Sequence, residues 1–193
     1  MSRPRFKIAP LQLTQLAILP LALLCNGAVF AAEAPPHIQA EIPRARLAGS
    51  DSYRWLGFTI YTANLWVGES GYRSEAPTAA KFALDLRYAR ALHGAKIAES
   101  SLDEIQKLGL GTPEQHRSWR AHMTKIFPDV QSGNHISGIY LPNAGARFYL
   151  DGKPLGEVAD AEFGRSFFAI WFDPKTSAPA LREALLRHAV SPP

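Results

Sequence analysis

Residues 53–67, YRWLGFTIYTANLWV, constrain the fold more than any other stretch of this chain. Tyr53, Trp55, Phe58, Ile60, Tyr61, Leu65, Trp66 and Val67 are aromatic, aliphatic or β-branched, the types that fill a pleated and half-buried surface. Gly57 marks a bulge or bend part-way along, so the run reads as extended chain. Arg54 is the exception in this company. A guanidinium stays charged in a protein, so on a strand that faces a core it must meet an anion, a carbonyl cluster or water.

The flanking sequence supplies the architecture. Residues 33–36 read as a loose linker and residues 38–47 as an irregular edge strand broken by Pro43. The cluster Ala48-Gly49-Ser50-Asp51-Ser52 has turn chemistry and predicts a hairpin that enters the aromatic run. Residues 81–88, KFALDLRY, alternate in part and predict another strand of that sheet. From 94 to 107 the apolar residues Ile97, Leu102, Ile105 and Leu108 recur at helical intervals, and Gly109 and Gly111 stop them. Thr112-Pro113-Glu114-Gln115 is a capping box with proline at the first helical position, opening a helix that Pro128 ends.

Strand pattern returns at 136–141 and 146–150, with a hairpin turn at Asp151-Gly152-Lys153. Asp160 caps a helix with Phe163, Phe167, Ile170 and Trp171 on one face, and a last helix runs around 178–187. Strands, two helices, strands and two helices again do not make a parallel doubly wound sheet. They suit an antiparallel sheet with helices over one face, an α+β class.

The N-terminus has the features of a secretory leader. Arg3, Arg5 and Lys7 precede an apolar run at 11–24, and Ala28-Val29-Phe30-Ala31 offers small residues for cleavage, so residues 1–31 are expected to be removed and the chain exported to a periplasm-like space. Removing three cations and no acid takes the formal charge from +4 to +1, which leaves no basic footprint for nucleic acid. The one cysteine, Cys25, leaves with the leader, so no disulfide is expected. What remains is a linker at 32–37 and one domain at 38–193, with no later apolar run able to span a bilayer.

Catalytic signatures are sparse. His37, His93, His116, His122, His135 and His188 show no metal-ligand spacing, and no metal or other cofactor is expected. There is no nucleophile elbow, P-loop or dinucleotide fingerprint. His135 reads as a loop residue, Arg87 and Arg90 as a solvated face, and the tryptophans Trp55, Trp66, Trp119 and Trp171 as core packing.

Four segments in succession, GSDSYRWLGFTIYTANLW, LRYARALHGAKIAESSLDEIQKLG, FPDVQSGNHISGIYLPNAGARFYLDGKPLGEV and FGRSFFAIWFDPKTSAPALREALL, resemble the bacterial, secreted branch of the chalcone isomerase-like family. The resemblance implies an open-faced β-sandwich in which a large antiparallel sheet is backed by a helical layer, with the ligand cleft between them. Isomerases of that superfamily stabilise an attacking oxyanion with an arginine from the first hairpin, and other members bind fatty acids without catalysis. The arginine falls on Arg54, the threonine position on Tyr61, the tyrosine on Ile97, the asparagine on Glu104 and the C-terminal Ser/Thr on Ile170. Two isoleucines in place of a phenol and a hydroxyl remove donors that order a substrate carbonyl. An Arg with a Tyr from the same hairpin is instead suited to a carboxylate head group.

Three readings follow. The first is a secreted, cofactor-free protein that binds a small apolar ligand, a fatty acid or lipid-like carboxylate, in a cleft polarised by Arg54 and Tyr61. The second is an intramolecular lyase or isomerase acting on a chalcone-like or enone substrate, with Arg54 as electrophile and Tyr61 as proton donor. The third is an interaction module without a ligand, its cleft closed by an internal Arg54–Glu104 pair. Arg54 and Tyr61 are seven apart and fall on opposite faces of a regular strand, so the first two readings need a bulge or turn between them.

Overall fold

The computed structural model describes residues 32–190, so residues 1–31, expected as a leader, and Cys25 lie outside the described residues. Six strands follow one another as a single antiparallel meander in the order β1 to β6: β1 (Arg46–Trp55), β2 (Phe58–Val67), β3 (Phe82–Tyr88), β4 (His135–Leu141), β5 (Gly145–Leu150) and β6 (Lys153–Val158). Five helices complete the described residues: α1 (Pro36–Glu41), α2 (Gly94–Lys107), α3 (Pro113–Ile126), α4 (Ala161–Phe172) and α5 (Pro179–Leu186). The α+β class and the open sheet backed by helices are as expected.

The period-two alternation of each strand divides the core between the two sheet faces. Ala63, Leu65 and Val67 of β2, Leu84, Leu86 and Tyr88 of β3, and Ile136 and Tyr140 of β4 belong to the larger core, under the helical layer. Helix α4 contributes Phe163, Phe167, Phe168, Trp171 and Phe172 to it, and Phe167 stands nearly perpendicular to both Phe148 and Phe168. The Asp160 carboxylate accepts from the backbone N–H groups of Glu162 and Phe163, which starts α4 as its sequence predicts. Its second oxygen accepts from Trp119 Nε1 at 2.8 Å and so ties α3 to the same point.

The opposite face carries Trp66, Ala83, Ile139 and Leu141, and α1 lies over them with Ile38 fully buried. Residues 33–42 are therefore not a linker running into an edge strand. Pro36 opens a short helix, Ile38 and Ile42 sit one turn apart on its buried side, and Pro43 follows its end. Residues 48–52 differ from expectation as well, since they lie inside β1 and not in a turn. Gly49 is needed there because a Cβ would stand 2.1 Å from the Ala184 carbonyl oxygen, where α5 crosses β1.

A polar network holds α1 to the sheet. Ser137 Oγ donates to Asp85 Oδ1 at 2.6 Å and His37 Nε2 lies 2.8 Å from Ser137 Oγ, so the histidine is the donor in that second bond. His135 Nδ1 donates to the other Asp85 oxygen at 2.9 Å, which makes it a strand residue with a buried partner and not a loop residue. The chain of donors runs from histidine through serine to aspartate, the reverse of a nucleophilic triad, and Ser137 is fully buried. At the other end of α1, Glu41 accepts from Tyr149, Arg147 and Lys81, which holds its carboxyl down at about 2 against the cost of burial.

Candidate functional site

The β1–β2 hairpin closes through Leu56 and Gly57, both at positive φ (48° and 82°), a two-residue turn matched to the twist of its strands. Trp55 pairs with Phe58 and Arg54 with Thr59, yet Tyr53 pairs with Tyr61, so Ile60 is an extra residue on β2. The irregularity lies here, three residues beyond Gly57, which is the turn itself. Without the extra residue, Tyr53 would face Ile60. With it, Tyr53, Tyr61 and Tyr88 are cross-strand partners on β1, β2 and β3 and form a ladder on the face that the helices cover.

The Tyr53 and Tyr61 rings are stacked at 5.2 Å, and Tyr61 meets Tyr88 edge-on at 6.1 Å. Trp171 Nε1 of α4 donates to the Tyr61 hydroxyl at 3.0 Å, so that oxygen is an acceptor and the phenol keeps its own hydrogen. Among the described residues, neither that hydrogen nor the Tyr88 hydroxyl has a hydrogen-bond acceptor. Burial pushes both phenols far above the ordinary tyrosine range, and the nearby Glu104 charge adds to the effect at Tyr61. They are neutral donors at any physiological pH, which excludes a phenolate base.

Trp171 also lines a void of about 10 Å³ between β3, β4, β5 and α4, whose other walls are Leu84, Leu86, Ile136, Gly138, Phe148, Phe167 and Phe168. That space scarcely admits one water. Gly138 opens it, since a Cβ there would approach the Phe168 ring to 3.2 Å. The seam is thus apolar and nearly closed at rest, and Trp171 joins its wall to the Tyr61 hydroxyl.

The residues expected at the site separate into two groups. Tyr61 and Glu104 lie within electrostatic reach of one another, and Ile97 and Ile170 are half-buried against the same core. Arg54 lies apart from them. It is exposed near the hairpin tip, next in sequence to Tyr53 but not on its side of the strand, and has no ion pair or hydrogen bond among the described residues. The Arg54–Glu104 pair is not formed, because Glu104 accepts from Lys107 Nζ at 2.6 Å and from Ser177 Oγ at 2.5 Å. A cation one helical turn away on its own helix satisfies Glu104 without burying a guanidinium. Tyr53 stacks on Tyr61 as their nearness in sequence allowed, whereas Tyr88 and Trp171 join the site without having been singled out for it from sequence.

The sequence matches the chalcone isomerase-like family over residues 29–187. The chain belongs to that family. No curated protein matches it. Among solved structures it is similar to a fatty-acid binding protein of Arabidopsis thaliana, with a TM-score of 0.56 and 14% identity, covering 75% of this chain and 88% of that one. At that identity the likeness concerns the fold, and it agrees with an open antiparallel sheet backed by helices. No helix among the described residues is long and apolar enough to cross a membrane.

Proposed function

We propose that this family member is a non-catalytic binding protein that takes a small apolar ligand, a fatty acid or lipid-like carboxylate, into the seam between the sheet and α4. The observation that carries this reading is the Tyr61 hydroxyl, which keeps a free hydrogen and is bonded to Trp171, a wall of the apolar void. A carboxylate or carbonyl oxygen is the acceptor that such a phenol lacks, and Tyr88 offers a second donor. The apolar tail would follow the void toward Phe148, displacing Phe167 and Phe168, since the resting space is far too small for it. Arg54, exposed on the hairpin that carries Tyr53 and Tyr61, is free to attract an approaching anion from outside the seam. The Arabidopsis protein of similar fold is a fatty-acid binding protein, which is consistent with such a ligand. The leader-like features of residues 1–31 support a periplasmic setting for this binding.

Catalysis is the weaker reading, because Arg54, the electrophile that lyase chemistry would use, is exposed near the hairpin tip and outside the seam. A ligand-free interaction module is favoured by one observation, the nearly closed seam. Native mass spectrometry of the mature protein, with organic extraction of what comes off, separates the two. A stoichiometric acid adduct, weakened about tenfold or more in Tyr61→Phe, supports ligand binding. A mass that stays bare after incubation with fatty acids overturns it.

A further inference from the structure

We propose that the tip of the β1–β2 hairpin is a membrane-docking element that inserts Trp55, Leu56 and Phe58 into the interface of an anionic phospholipid bilayer. These three residues are 60%, 75% and 64% exposed, and they are consecutive around one two-residue turn except for Gly57. Large apolar side chains gathered at one exposed point mark an interaction surface, unlike the same residues scattered singly. Trp66, Trp119 and Trp171 are all buried, so Trp55 departs from the use this chain makes of tryptophan elsewhere.

The shape of the tip favours a bilayer over a protein groove. Leu56 and Gly57 form a tight protruding turn, and a Cβ at Gly57 would meet nothing within 4 Å. A convex point with an indole and a phenyl ring suits the boundary between head groups and acyl chains, where amphipathic aromatics concentrate.

Charge decides the kind of membrane. Arg90 lies with its guanidinium 5.7 Å from the centre of the Phe58 ring, and the Ala89 N–H donates to Ile60 O at 2.9 Å, which fixes that segment beside the hairpin. Arg54 and Arg87 are exposed nearby on the paired strands. No acidic residue occurs at 52–68 or 86–98, the hairpin and the segment paired beside it, and Glu104, which lies within electrostatic reach of Tyr61, is paired with Lys107. An apolar point flanked by arginines fits lipid phosphates, gains most from anionic head groups and is repelled by cationic surfaces. Docking here would set the Tyr53–Tyr61 pair close to the lipid surface, although the proposal does not depend on any ligand entering the seam.

Flotation of the mature chain with vesicles of phosphatidylcholine, with and without phosphatidylglycerol, tests this. The expected result is co-flotation with the anionic vesicles, at least about tenfold weaker on phosphatidylcholine alone and in the triple variant W55S/L56S/F58S, with a smaller loss in Arg90→Glu. Trp55 is the exposed indole, so its emission should shift to the blue and be quenched by brominated lipid in the wild-type protein, a readout that needs no variant. Absence of flotation, unchanged flotation of the folded triple variant, or unquenched emission overturns the proposal. So does a wild-type dimer on a sizing column that the triple substitution converts to a monomer, since a second copy would then cover the tip. A triple variant that stops floating but keeps an acid adduct in its native mass separates docking from ligand uptake.

Discussion

The indole N–H of Trp171 donates to the hydroxyl of Tyr61 at 3.0 Å, and this bond ties α4 to β2 across the seam. Trp171 is buried and Tyr61 half-buried against the same core, so removing the acceptor leaves the indole donor without a protein partner. Tyr61→Phe is expected to destabilise the fold by about 1–3 kcal/mol, the usual cost of an unsatisfied buried polar group. Trp171→Phe removes the donor and adjoining packing together. A double-mutant cycle read by urea unfolding should give a coupling of about 1 kcal/mol, and additivity would show that the bond contributes nothing.

Tyr61 and Tyr88 also predict the alkaline behaviour. Burial raises both phenols above their ordinary value of 10.0, and Tyr72 is pushed up to about 12 by the same cause, with Arg182 pulling the other way. In the unfolded chain these groups ionise near the ordinary value, so the stability they contribute is present below pH 10 and declines as pH rises beyond it. Ultraviolet difference titration should find them silent in native protein up to the onset of unfolding. Titration of Tyr61 near pH 10 in folded protein would mean that the ladder is open to water.

These site relationships were only partly legible in the sequence. Helices α2, α3 and α4 announce themselves through local signals, a helical apolar period, the Thr112 capping box and the Asp160 cap, because such bonds close within a few residues. Strand β1 does not, since Gly49, Ser50 and Ser52 have the composition of a turn and are held extended by β2 and α5. The ladder depends on Ile60 being extra, and nothing in the residue types distinguishes Ile60 from an ordinary strand residue. One residue of register decides which side chains meet the core, so Tyr53 takes the inward place and Arg54 remains in water.

The α1 strap is expected to loosen in acid in two stages. Desolvation lowers the His37 pKa below its ordinary 6.5, against the attraction of Asp85, so the unfolded chain takes up a proton first. Stability from His37 is therefore present above pH 6.5 and lost as pH falls below it. Glu41, held near 2 against an ordinary 4.5, gives stability that is present above pH 4.5 and lost between there and about pH 2. Allowing for solvent screening, the second stage is worth about 2 kcal/mol. Hydrogen exchange of the α1 amides against pH should show both steps, with the lower one absent in Glu41→Gln. An α1 segment equally protected at pH 7 and pH 3 would contradict the assignment.

Gly138 gives the sharpest separation between ligand uptake and stability. It lines the void, and a methyl group there would press on the Phe168 and Phe148 rings at 3.2 to 3.4 Å without touching backbone. Aromatic rings yield by a few tenths of an ångström, and replacing a strand glycine recovers about 0.5–1 kcal/mol of backbone entropy. Gly138→Ala should thus leave the unfolding midpoint within about 1 kcal/mol of the parent. The same methyl fills the space into which an apolar tail would have to extend. Affinity for a fatty acid, measured by calorimetry, is expected to fall at least about tenfold while the fold is kept. Unchanged affinity in this variant would move the ligand out of the seam and leave Tyr61 without the role assigned to it.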